Sequence, residues 1–288
     1  MTRKLLIVSI ALSLIVGIGG YIAYWFMAAS QLERQTLAWI EDRRAAGYAA
    51  AHGDIGVSGF PGAFTVSIDG LALGAPDGSW RAAAPQVTAR SNGPFGLGLW
   101  TAESETARIE FGPEDDPATI DIAQIATQTE VSGQQVKAVS VDWESADIRY
   151  DGTASVGGVI DERLSNGRIA VIEDPENTDR AEIVEARLDW NDTAIEASGN
   201  LGADAQGYLT GDLTMDVQNL EARIDAMREA GWIGQDEARF VIGALALAPR
   251  TDSGAIQVPI QADGRRVMAF GFVALFDAPR IYEPDANS

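Results

Sequence analysis

Side chains that could do chemistry are few or scattered in this 288-residue chain. There is one histidine, His52, and no cysteine, which removes disulfides, thiolate metal sites and cysteine nucleophiles together. A Ser-His-Asp triad would have to use His52, yet no serine sits in a Gly-x-Ser-x-Gly elbow. The nearest approach, Gly56-Val-Ser58-Gly59, has the wrong spacing. A zinc site with one histidine and no cysteine would need three carboxylates, an unusual set. The loops Gly112-Pro-Glu-Asp-Asp-Pro117 and Glu173-Asp-Pro-Glu-Asn-Thr-Asp179 gather carboxylates. They lack the ligand spacing and turn glycine of a calcium loop, and read as solvated turns. Gly93-Pro-Phe-Gly-Leu-Gly98 is like a phosphate loop only in glycine content, with no Gly-Lys-Ser/Thr after it and no βαβ pattern around it. Acidic residues number 42, too many for a glycosidase pair to be singled out. The expectation is a protein that is not an enzyme, with no catalytic residue, no metal and no cofactor.

The elements that would position any site begin with the N-terminus. Arg3 and Lys4 precede an uncharged apolar run from Leu5 to Ala29. As a helix, that run is about 37 Å long, enough to cross a hydrocarbon core of about 30 Å with some tilt. The basic residues on the short flank place residues 1–4 in the cytoplasm and the rest across the membrane. Tyr21, Tyr24, Trp25 and Phe26 crowd the far end, where amphipathic rings favour the interface. A cleaved signal peptide with Ala28, Ala29 and Ser30 as its site is the competing reading. Its apolar core would be longer than the usual 7–15 residues or so. All 42 acidic residues and 19 of the 21 basic ones follow residue 30, a net charge of −23 there. Nucleic acid and anionic headgroups attract the opposite sign, so no nucleic-acid partner is expected.

Beyond the run, Leu32, Leu37 and Ile40 continue a helical spacing to a stop at Gly47. From Tyr48 to about Asn219 the chain alternates with period two, punctuated by Gly, Asp-Gly and Asn-Gly, as half-buried antiparallel strands do. Phe64, Val66 and Ile68 face one way and Asp69-Gly70 offers a hairpin turn. Leu209–Val217 is the cleanest strand. Val141-Asp142-Trp143, Ile148 and Gly152 recur 47 residues later as Leu188-Asp189-Trp190, Ile195 and Gly199, which suggests two similar strand-and-turn units. Gly59-Phe60-Pro61 reads as a corner with Phe60 plugging the core. Asn219 as N-cap opens a helix that ends at Gly231, and a second helix spans Asp236 to about Ala248 before Pro249. The second is apolar nearly all round and should be buried. Ile256–Ile260, an Asp263-Gly264 turn and Val267–Val273 close the chain, with Pro259 marking an edge or a bulge.

Taken in order, these features resemble the proteobacterial Domain of Unknown Function 2125 family. The matching residues are Tyr24-Trp25, Trp39, Gly59-Phe60-Pro61, Trp80 with Ala84-Pro85, Asp189-Trp190, Ala230-Gly231-Trp232-Ile233 and the closing Val258-Pro259-Ile260…Asp263-Gly264 hairpin. Gly62 and Ala63 stand where a bulky apolar and a basic residue are expected. The closing Val267-Met-Ala-Phe-Gly271 departs from a plainer Leu-x-Leu-Gly. The resemblance implies an N-terminal anchor and an envelope domain, and brings no assigned activity or catalytic residues. The order of elements is more loosely similar to AsmA-like envelope proteins, which are associated with lipid homeostasis and outer-membrane biogenesis.

The expected architecture is mainly β: an N-terminal transmembrane helix, then an elongated curved antiparallel β-sheet domain with two helices near the C-terminus. The divisions are residues 1–30 (cytoplasmic tip and anchor), 31–47 (juxtamembrane helix) and 48–288 (periplasmic domain, on a bacterial inner membrane). Two functions fit. One is lipid handling, an acyl chain seated in an apolar groove lined or lidded by Phe240, Ile242, Leu245 and Leu247. The other is an envelope assembly scaffold that binds proteins through a sheet edge or the C-terminal helices. The bland alternative for the second helix is an ordinary core helix under a sheet.

Overall fold

The computed structural model describes residues 2–112, 117–133, 135–150, 160–174, 180–231, 233–246, 248–271 and 273–278, with residues 2–16 by backbone only. One helix, α1 (Thr2–Ala45), runs without a break through the expected boundary at residue 30 and ends at Gly47, whose φ is +88°. Among the described residues no helix is long and apolar enough to cross a membrane. The side chains of residues 5–16, about half of the apolar run 5–29, lie outside that description.

Fourteen strands follow in one antiparallel sheet. They are β1 (Ala49–Ala51), β2 (Ile55–Ser58), β3 (Thr65–Gly74), β4 (Trp80–Ser91), β5 (Leu99–Phe111), β6 (Ala118–Ser132) and β7 (Gln135–Tyr150). Next come β8 (Ile160–Glu173), β9 (Arg180–Trp190), β10 (Thr193–Ala203), β11 (Leu209–Val217), β12 (Ile256–Asp263), β13 (Arg266–Ala269) and β14 (Val273–Asp277). From β3 to β14 each strand pairs with the next in sequence, while β1 and β2 share the free side of β3. The helices α2 (Leu220–Glu229) and α3 (Gln235–Leu245) are inserted between β11 and β12. The mainly β, curved antiparallel sheet with helices at its two chain ends is the expected one.

β11 has the expected bounds Leu209–Val217, but the strands from β3 to β10 are longer than the alternating segments suggest, from 10 to 16 residues. The reason is a row of irregular residues across the sheet. Gly70 in β3, Gln124 in β6 and Asn166 in β8 have left-handed backbones, with φ of +59°, +52° and +50°. Pairing skips at the same level between β4 and β5, β5 and β6, β6 and β7, and β7 and β8. The apolar alternation changes phase there. Val66 and Ile68 precede the row in β3, with Leu71 and Leu73 after it; in β6, Ile120 and Ile122 precede it, with Ile125 after it. Asp69-Gly70 is therefore no hairpin turn. It is a phase change inside one strand, which in sequence looks like the end of one segment and the start of another.

Other expectations also move. Ile148 continues β7 after Trp143, whereas Ile195 lies in β10, across a turn from Trp190. The 47-residue recurrence thus joins two different geometries, and Gly152 falls outside the described residues. Asn219 opens α2 in a left-handed conformation without a side-chain cap, its Nδ2 donating instead to the Asp192 carbonyl at 2.8 Å. The closing strand is two, β13 and β14, parted by Phe270 and Gly271, both at positive φ. The Asp263-Gly264 turn is present, with Asp263 Oδ1 accepting the backbone N–H groups of Arg265 and Arg266. Pro259 keeps its place in β12 because β13 pairs only with Ile260–Ala262, so no strand partner meets the missing N–H.

Apolar burial is gathered at the ends of the sheet. One cluster joins Trp25 and Ala29 of α1 to Phe64. Two others join α2 and α3 to Ile256, and Ile260 to Val267, Ala269 and Ala278.

Candidate functional site at the helix–sheet joint

The residues of α1 that meet the sheet recur at helical spacing. Tyr21, Trp25, Ala29 and Leu32 form one stripe, and Trp25 and Ala29 are buried against Phe64, which is 0% exposed. The Trp25 indole stacks on Phe64 at 5.1 Å and meets Phe60 edge-on at 5.4 Å, geometries that suit ring quadrupoles. Phe26 stacks on Phe60 at 5.7 Å, and Tyr24 on Phe95 at 5.3 Å. Seven aromatic side chains thus join the helix to two loops, 59–64 before β3 and 92–98 between β4 and β5.

The loops are tied to the helix by carbonyls. Tyr21 Oη donates to the Pro61 carbonyl, Tyr24 Oη to that of Pro94 at 3.1 Å, and Trp25 Nε1 to that of Gly62 at 3.3 Å. Trp100 Nε1 donates to the Leu97 carbonyl at 2.9 Å. Buried Ser91 links the loops: its Oγ accepts the Phe64 N–H at 3.0 Å and donates to the Gly93 carbonyl at 2.8 Å. Gly59 has φ of +107°, and a Cβ there would sit 2.0 Å from the Ala63 carbonyl oxygen. The corner expected at Gly59-Phe60-Pro61 is present, but Phe60 is 44% exposed. Phe64, four residues on, plugs the core in its place.

The three described groove residues, Phe240, Ile242 and Leu245, do not share a surface. Leu245 is buried in a cluster with Ile224, Ala238 and Ile256, and Ile242 packs against that cluster. Phe240 is 69% exposed and Val241 is also exposed. Leu247 lies outside the described residues. The expectation that this helix is buried all round is corrected, because α2 and β12 cover one side only. An open concavity of about 790 Å³ lies elsewhere, lined by Val136, Val139, Val171, Leu201 and Leu209 among others, with Lys137, Glu173 and Arg180 at it. It sits at the same ends of the strands as loop 92–98. His52 follows β1 and its Nδ1 contacts the Gly53 carbonyl at 2.7 Å, a local contact; among the described residues no carboxylate or serine partners it. Among the described residues no group of histidine and carboxylates is arranged to hold a metal. Residues 113–116 and 175–179, which include Glu114, Asp115, Asp116, Glu176 and Asp179, lie outside that description.

A second polar cluster fastens α2 to the sheet. Glu162 accepts Trp190 Nε1 and Asn191 Nδ2, each at 2.9 Å, and pairs with Arg223 at 2.6 Å. The Arg223 guanidinium lies 4.0 Å from the centroid of the Trp190 ring. Burial pushes the Glu162 carboxyl up, but the three hydrogen bonds and the Arg223 charge outweigh it and hold it below its usual range. Sequence reasoning singled out Asp189-Trp190 without its partners, and missed Ser91 and Phe95. The available signal for Phe95 was an apolar loop without charge in a strongly acidic chain.

Fold and joint together define a helix-tethered antiparallel meander sheet. The chain matches the model of a bacterial family described as an uncharacterized protein conserved in bacteria, DUF2125, over residues 25–178 and 99–279. It belongs to that family. Comparison with curated proteins and with solved structures gives no match.

Proposed function

We propose that this is a non-catalytic protein of the bacterial inner membrane, anchored through residues 5–29, whose periplasmic sheet handles lipid. The anchor rests on the uncharged run from Leu5 to Ala29 inside a helix that continues unbroken to Ala45. The observation that carries lipid handling is the apolar concavity at Val136, Val139, Val171, Leu201 and Leu209. It takes over the role first assigned to Phe240, Ile242, Leu245 and Leu247. An acyl chain there gains about 0.8 kcal/mol per buried methylene and needs no catalytic group. Lys137, Glu173 and Arg180 supply polar contacts for a headgroup. Native mass spectrometry of the full chain released from detergent tests this. A phospholipid-sized adduct that weakens in Leu201→Gln is the expected result, and a protein that flies bare overturns the reading.

A second reading, an envelope assembly scaffold, is favoured by the outward Phe240 and Val241 of α3. Phe240→Glu would then lose a co-purifying protein while any lipid adduct persists.

A further inference from the structure

We infer that the loops 59–64 and 92–98 sit in the membrane–water interface beside the helix, so that this end of the sheet rests on the bilayer surface. The inference rests on the anchor reading above and concerns what the joint touches. Neither 59–64 nor 91–98 contains a charged residue, in a chain whose net charge is −21. At the opposite end of β3 and β4 the turn carries Asp77, and the sequence between β5 and β6 carries Glu114, Asp115 and Asp116. A solvated turn explains Asp77, but not two uncharged loops that leave Phe95 72% exposed, with Phe60 and Leu97 also exposed. On α1, Ile18, Ile22 and Phe26 form an exposed apolar stripe next to the docked one. Helix stripe and loop tips meet where Phe26 stacks on Phe60.

The backbone supports the same placement. Near hydrocarbon, a carbonyl without a donor is costly, because no water is there to supply one. The carbonyls of Pro61, Gly62, Pro94 and Leu97 each receive a donor from Tyr21, Trp25, Tyr24 and Trp100. Those of Gly59, Gly93 and Gly98 receive the Gly62 N–H, Ser91 Oγ and the Val131 N–H. Tyrosine and tryptophan are the side chains that favour the interface. Length agrees as well: the 20 residues from Leu5 to Tyr24 make a helix of about 30 Å, the thickness of a hydrocarbon core. The acidity of the remainder argues for a surface of low charge, so the occupant is a zwitterionic bilayer face.

The chain has no cysteine, so single nitroxide labels report without background. Ile18→Cys, Ser79→Cys, Phe95→Cys and Leu97→Cys are labelled one at a time in the full chain and reconstituted into phosphatidylcholine vesicles. Collisions with oxygen and with a water-soluble nickel chelate are then measured. Positions 95 and 97 should lose most of the nickel collisions seen at 79, while remaining more accessible than 18. If 18 is shielded but 95 and 97 match 79, the interfacial seat is overturned and the anchor stands. If 18 itself meets the nickel chelate freely, the anchor falls and the seat with it. Shielding at 95 with spin–spin broadening between labels puts a second copy of the chain there, and overturns the bilayer contact.

Discussion

Phe60 and Phe64 lie four residues apart and differ in everything that matters for stability. Phe64 is closed off by Trp25 and by the Ser91 hydrogen bond to its own N–H, whereas Phe60 is nearly half exposed. Phe64→Ala should lower the unfolding free energy by about 3–5 kcal/mol, the range for a buried phenylalanine. Phe60→Ala should cost clearly less, and urea unfolding of the two variants gives the comparison. Glu162 is the other residue whose role is set by its neighbours. Its carboxyl is held below the ordinary glutamate value of 4.5, so its contribution to stability is complete above that pH. The contribution is lost as pH falls through the depressed folded value. Glu162→Gln should lower the melting temperature at neutral pH and flatten its decline on acidification below about pH 4.5. A parallel shift at all pH values would remove Glu162 as the titrating group.

Among the elements, β3 shows how a single strand can carry the sequence pattern of a hairpin. The residues 65–68 and 71–74 alternate correctly, but out of phase, and Gly70 absorbs the change at φ of +59°. The nearest atom to a Cβ there is 3.9 Å away, so Gly70→Ala meets no clash. Its expected cost is that of a left-handed non-glycine residue, about 1–2 kcal/mol. Thermal melts that leave Gly70→Ala equal to wild type would remove the strain argument. Helix α3 shows the opposite error. Its sequence is apolar on several faces, yet it docks with Ala238, Ile242 and Leu245 and leaves Phe240 outside. Amphipathicity predicts which side of a helix is buried only when there is a polar side.

From β3 to β14 the molecule is a meander in which each strand pairs with its sequence neighbours, with apolar clusters near its two ends. Such an arrangement resembles a one-dimensional array, whose parts unfold with partial independence. Leu245→Glu places a carboxylate in the α2–α3–β12 cluster and should unfold that end. Hydrogen exchange should then lose protection in α2, α3, β11 and β12 while Phe64–Ala75 remains protected. Loss of protection along the entire sheet would show one cooperative unit. Retention everywhere would show that Leu245 faces solvent and restore it to a groove.

Period-two alternation, the uncharged N-terminal run, the acidity, the Gly47 and Gly231 stops and the closing Asp263-Gly264 turn were all legible in the sequence. Each is a property of a few neighbouring residues and the backbone they favour. The mainly β antiparallel architecture followed from them, while the family was legible as a resemblance in the ordered motifs from Tyr24-Trp25 to the Val258-Pro259-Ile260 hairpin. Tertiary structure alone decided that Phe64 is buried and Phe60 is not, that Leu245 is core and Phe240 surface, and that two uncharged loops meet one stripe of α1. Those outcomes depend on which element arrives from elsewhere in the chain. A side chain's own type does not encode what will cover it.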